Sequence, residues 1–92
     1  MGSSIQQSSN VGMPRSGRPS KEEIEFFNKW IYKNNKIRGG VPIIIGTRIP
    51  VKTVVALING GDTISEILTG YPTLNPYSIM AAIGYNYYYG VE

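Results

Sequence analysis

The chain has 92 residues, 41% of them hydrophobic, and nine Lys and Arg against six Asp and Glu, for a net charge of +3. That bounds it to one domain with a modest core. With no Cys and no His, disulfides, thiol nucleophiles, histidine general bases and Cys/His zinc sites are excluded, and neither metal nor cofactor is expected.

The charge is unevenly spread. Residues 1–52 hold all nine cations and three acids (Glu22, Glu23, Glu25), a net +6, whereas residues 53–92 hold three acids (Asp62, Glu66, Glu92) and no cation, a net −3. Such a split suits halves that face different partners, or one half that faces the opposite half of another copy. Chance clustering in a short chain is the plain alternative. No apolar run reaches the length of a membrane span, and the start lacks a basic stretch followed by an apolar core, so a cytoplasmic protein is expected.

Residues 1–19 are rich in Ser, Gln, Asn, Gly and Pro and read as a flexible basic arm. Residues 20–35 read as an N-terminal helix. "SKEE" is a capping box in which the Ser20 hydroxyl accepts from the Glu23 amide and the Glu23 carboxylate accepts from the Ser20 amide. Ile24, Phe27 and Ile31 recur at helical spacing, with Phe26 and Trp30 widening the stripe. Asn34 and Asn35 are the expected stop.

Residues 36–92 read as a β-ribbon followed by three short helices. In "IRGGVPIIIGTRIPV" β-branched residues flank Gly39-Gly40 and Gly46-Thr47, as in two extended segments joined by tight turns. Pro42 and Pro50 lack amide donors, which predicts a small hairpin or edge ribbon rather than central strands. The first following helix covers about 51–59 and stops at Gly60-Gly61. The second opens on "TISE", a capping box from Thr63 to Glu66, and breaks at Gly70 before Pro72. The third has Asn75 as cap and Pro76 at its first position, and Ile79, Met80, Ile83 and Tyr87 keep the helical period. This is the parts list of a helix-turn-helix bundle, although short three-helix bundles also occur without nucleic acid.

Residues 37–83 resemble the small prokaryotic family called domain of unknown function 433. The residues that carry the resemblance are Gly39, Gly40, Pro42, Gly46 to Val51, Gly61, Thr63, Glu66 to Leu68, Tyr71, Pro72, Leu74, Ala81 and Ala82. The resemblance implies a mainly α, homeodomain-like helix-turn-helix domain with a short β segment before it. It also implies the antitoxin of a toxin–antitoxin pair, whose toxin partner resembles a PIN-type nuclease. Two places depart from the pattern. Ile45 stands where members commonly carry a basic or small polar residue, and Tyr77 and Ser78 stand where they commonly carry acids.

Catalysis is not expected. Glu22, Glu23 and Glu66 belong to helix N-terminal turns, Asp62 precedes a cap, and "GVPIIIG" lacks the Gly-Lys-Ser/Thr ending of a phosphate loop. For duplex DNA, the first turns of the last helix would reach base edges through Asn75, Tyr77 and Ser78. That helix has no cation, so phosphates would have to be held by Arg15, Arg18, Lys21, Arg38, Arg48 and Lys52. Gly17-Arg18-Pro19 resembles a minor-groove arm, with a merely solvated basic arm as the plain alternative. Tyr85, Tyr87, Tyr88 and Tyr89 cannot all be buried on one face, and an interface suits them better than stacking on bases.

A homodimer is expected, with strands around 41–45 pairing across a two-fold axis to hide a free edge. The expected function is therefore a homodimeric, DNA-binding transcription regulator of antitoxin type. The toxin would meet the arm and N-terminal helix, which lie outside the resemblance. The alternatives are a protein–protein module that uses the fold without DNA, and a DNA-coating architectural protein. Arg48, in "GTRIP", is left free to meet either a phosphate or an acid of a second subunit, and the acid is favoured.

Overall fold

A computed structural model of the chain describes residues 17–34, 36 and 38–91. Residues 1–16 of the expected arm, Arg15 among them, and the expected stop at Asn35 lie outside the described residues. The rest is mainly helical. Helices α1 (Lys21–Trp30), α2 (Val51–Asn59), α3 (Ile64–Gly70) and α4 (Pro76–Tyr89) surround a two-stranded antiparallel sheet of β1 (Ile31–Tyr32) and β2 (Ile43–Ile44).

Helix α1 begins as its capping box predicts, with Glu23 N donating to Ser20 Oγ at 3.1 Å and Ser20 N donating to Glu23 Oε1 at 2.7 Å. Its end differs from the expectation. The helix stops at Trp30 and not near Asn34, because Ile31 turns to extended backbone and pairs with Ile44, as Tyr32 pairs with Ile43. Ile45 N then donates to Trp30 O at 2.8 Å, giving a partner to a helix-end carbonyl that would otherwise be orphaned. Lys33 and Lys36 therefore lie beyond the helix.

The ribbon is also built differently. Its partner strand comes from the end of α1, where a helix was expected, and the expected hairpin within residues 37–51 is present only as a short pairing across the Gly46-Thr47 turn. The other edge of β2 is used as well. Ile44 N donates to Ile49 O at 2.9 Å, Val51 N donates to Pro42 O at 3.0 Å, and Ile43 bridges Pro50. Both sides of Ile43–Ile44 are thus hydrogen-bonded within the chain, and the free edge assumed for a dimer through 41–45 is absent. The two prolines fit this arrangement, Pro42 by offering its carbonyl and Pro50 by sitting at a bridge on the rim.

The turn between β2 and α2 is held by Thr47. Its hydroxyl donates to Ile44 O at 2.8 Å and accepts from Ile49 N at 3.0 Å, while Gly46 takes φ +81°. Helix α2 ends at Gly60, and Gly61, at φ +104°, lets Asp62 N donate back to Leu57 O. Thr63 and Glu66 form the capping box that starts α3.

The core gathers Phe27, Ile31, Ile44, Val51, Val54, Ile67, Leu74, Ile79, Ala81 and Ala82. Helix α4 is its centre, packed mainly against α1 and α2. Its small residues Ala81 and Ala82 are fully buried. Helix α1 runs antiparallel to α4, since Trp30 stacks on Tyr77 while Phe27 touches the rings of Tyr85, Tyr88 and Tyr89. The Tyr88 hydroxyl closes the far end by donating to the Glu23 carboxylate, 2.9 Å from Oε2 and 3.0 Å from Oε1.

Candidate functional site

The expected base-reading turn is the start of α4, and its chemistry is already committed. Asn75 Oδ1 accepts from Tyr77 N at 2.8 Å and from Ser78 N at 3.1 Å. Ser78 Oγ accepts from Asn75 N at 3.1 Å and donates to Asn75 O at 2.8 Å. This reciprocal cap satisfies amides that a helix N-terminus leaves unpaired. Ser78 is only 1% exposed, so its placement corrects the expectation that it faces DNA. Asn75 serves as the cap. Tyr77 is exposed, and its ring stacks on Trp30 with centroids 6.3 Å apart, while Lys29 Nζ lies 5.8 Å from the Trp30 ring centroid.

The expected phosphate-holding cations sit on separate elements. Arg18 and Lys21 are exposed at the start of α1, Arg48 is exposed at the tip of the β2–α2 turn, and Lys52 is exposed in the first turn of α2. Arg38 belongs to the turn Arg38–Gly40. Because α1 is antiparallel to α4, its start lies beside Tyr88 and not beside Tyr77. Those two tyrosines are about 16 Å apart along the helix axis at 1.5 Å per residue. The basic end of α1 and the expected base-reading turn are thus at opposite ends of α4.

Helix α4 instead presents a surface that the helical period misplaced. Ile79 is buried as expected, together with Ala81 and Ala82, but Met80, Ile83 and Tyr87 face outward at 50%, 38% and 51% exposure. Tyr77, at 59%, extends this stripe toward the start of the helix. Apolar residues occur nearly all round α4, so periodicity could not say which of them its neighbours would cover. The usable signal was the Ala81-Ala82 pair, small residues that mark the buried side of the helix.

No charged residue lies in α4. Among the described residues after Lys52, the charged side chains are Asp62 and Glu66, before and within the first turn of α3. The outward side of the last two helices is therefore apolar and mildly acidic. Among the described residues, no three Asp or Glu converge as a metal site, and no helix is long and apolar enough to cross a membrane.

A family model described as "Protein of unknown function (DUF433)" matches residues 31–86. The match starts at the first residue of β1, so it takes in both strands of the ribbon, and it stops before the last tyrosines. No curated protein and no solved structure matches the chain.

Proposed function

The chain belongs to the DUF433 family, and we propose that it is a protein–protein interaction module that pairs with a second copy through α4. The observation that carries this reading is the outward stripe of Tyr77, Met80, Ile83 and Tyr87, uninterrupted by any charge. A run of large apolar side chains on one side of a helix marks an interface more often than a solvated surface. Tyr and Met are also residue types enriched in interface cores. A neutral stripe is self-complementary, as a two-fold interface requires.

DNA binding by a helix-turn-helix arrangement of α2, α3 and α4 is the second reading. The observation that favours it is the concentration of all nine cations in residues 1–52. In that case the duplex is gripped through phosphates from the N-terminal half, and base reading by α4 is minor. The antitoxin role implied by the resemblance fits either reading, with the arm and α1 left to meet a toxin.

Sedimentation of the intact chain with Met80→Glu and Ile83→Lys variants tests the proposal. The expected result is a wild-type dimer and monomeric variants of unchanged helicity. A wild-type protein that stays monomeric at tens of micromolar, or variants that dimerise as well as wild type, overturns it. Duplex binding that weakens steeply with salt, with Met80→Glu as tight as wild type, would favour the second reading.

A further inference from the structure

On the side of α4 away from its apolar stripe lies a cleft of about 420 Å³. Tyr85 and Tyr89 supply one wall, with ring centroids 4.7 Å apart and planes inclined at 48°. Lys33, just after β1, and Lys52, in the first turn of α2, also line it. Gly39 and Gly40, at φ +68° and +85°, bring bare backbone to the rim, where a side chain would both strain the turn and narrow the opening. No acidic residue among the described ones lines the cleft.

The two cations do not arise from a need to hold the fold, since Lys33 and Lys52 are exposed, whereas Tyr85 and Tyr89 each turn one side to Phe27 and also line the cleft. An anion in the cleft would be attracted by both lysines. Helix α2 adds to the positive field, because it has no side-chain cap and no acid in its first turn. The tyrosine wall offers planar apolar surface beside that field. Burial, with a contribution from Tyr89, raises the Tyr85 phenol above its ordinary value of 10.0, so that ring adds no negative charge at neutral pH.

We propose that this cleft binds a nucleotide, with its phosphate held between Lys33 and Lys52 and its base laid against Tyr85 and Tyr89. The cleft falls within the range of about 300–1,000 Å³ typical of small-ligand sites. Lysine is a common phosphate binder, and aromatic rings accept any base by stacking. Two sources present this chemistry, a free mononucleotide and the 5′-phosphorylated end of a single strand. At roughly 100° per residue, Tyr85 and Tyr89 lie about opposite Ile83 and Tyr87 on α4, so the cleft is independent of the proposed dimer surface.

Titration calorimetry on the intact chain tests the site, with AMP, adenosine, inorganic phosphate and a 5′-phosphorylated hexanucleotide as probes. AMP is expected to bind more tightly than adenosine and more tightly than inorganic phosphate, because it engages both the lysines and the tyrosines. Lys33→Ala and Lys52→Ala should each weaken AMP binding about tenfold through loss of one charge-assisted contact. Tyr89→Ala should weaken AMP but not inorganic phosphate, and Lys21→Ala, outside the cleft, should change nothing. A hexanucleotide tighter than AMP assigns the site to strand ends, and the reverse assigns it to free nucleotides. Absence of binding by both, AMP no tighter than inorganic phosphate, or full AMP affinity in a Lys33→Ala/Lys52→Ala double variant overturns the proposal.

Discussion

A Cβ placed on Gly84 would stand 3.0 Å from Cε1 and 3.3 Å from Cζ of Phe27, so a larger residue here needs the Phe27 ring to give by a few tenths of an ångström. Phe27 has nowhere to retreat. It is 5% exposed, and the rings of Tyr85, Tyr88 and Tyr89 surround it with centroids 5.9, 6.1 and 6.3 Å away.

Gly84→Ala is expected to destabilise the protein despite a better helix former at that position. The propensity gain is about 1 kcal/mol. Displacing a ring in a packed core costs about 1–3 kcal/mol, so the net effect is a loss. Urea denaturation monitored by circular dichroism checks the sign. A variant more stable than wild type would mean that Phe27 can yield after all.

Tyr88 and Glu23 join the same two helices by a hydrogen bond to a carboxylate, in which Glu23 Oε1 also accepts from Ser20 N. A double-mutant cycle with Glu23→Gln and Tyr88→Phe should show a coupling of about 1 kcal/mol. Glu23→Gln alone should also weaken the start of α1, because the capping contact loses its charge. Additive single effects in the cycle would place the hydrogen bond outside the folded ensemble.

At the β2–α2 turn, two adjacent residues should behave oppositely. Thr47→Val deletes a hydroxyl that makes two hydrogen bonds, and should cost about 1–2 kcal/mol. Arg48→Ala removes an exposed side chain and should stay within about 0.5 kcal/mol of wild type. Thermal melts of both variants decide this. Equal losses would show that Arg48 has a structural partner within the chain, against its reading as a residue free for a phosphate or a second subunit.

The raised Tyr85 phenol predicts a loss of stability at high pH. Its folded value lies above 10.0, so as pH climbs past that ordinary value the unfolded chain loses the proton first. Its contribution is then constant below pH about 10 and declines above it. Tyr85→Phe should flatten this part of the alkaline stability profile in chemical denaturation. An unchanged slope in the variant would assign the decline to other groups.

Local signals were read correctly where they were self-contained. The capping residues Ser20, Thr63 and Asn75 find their partners within four positions, so the starts of α1, α3 and α4 could be placed from sequence. The end of α1 could not. Ile31 and Tyr32 are compatible with either helix or strand, and pairing with Ile44 and Ile43, which lie beyond a glycine-rich turn, settles the choice. The outward side of α4 was hidden for a related reason. Met80 and Ile79 are equally apolar neighbours, yet Met80 is half exposed and Ile79 fully buried because α1 and α2 cover one side of the helix.

Ser78 shows the same limit at the candidate site. Its side chain suits base contact and helix capping equally well in the abstract, and the reciprocal bonds with Asn75 commit it to the cap. Lys33 falls inside the helix expected over residues 20–35, where a cation has no special meaning. Because the helix ends at Trp30, the chain that follows brings Lys33 to the same cleft as Lys52.

The helical class, three helix starts and the turn at Gly46-Thr47 are legible in the sequence because they rest on contacts within a few residues, and the uneven charge and the family because they rest on residue identities along the chain. Tertiary structure decided which strand β2 pairs with, which side of α4 meets solvent, and which lysines share a cleft with Tyr85 and Tyr89. Those outcomes depend on contacts between residues far apart in the chain, and a local pattern that suits two environments equally well carries no information about which one it will enter.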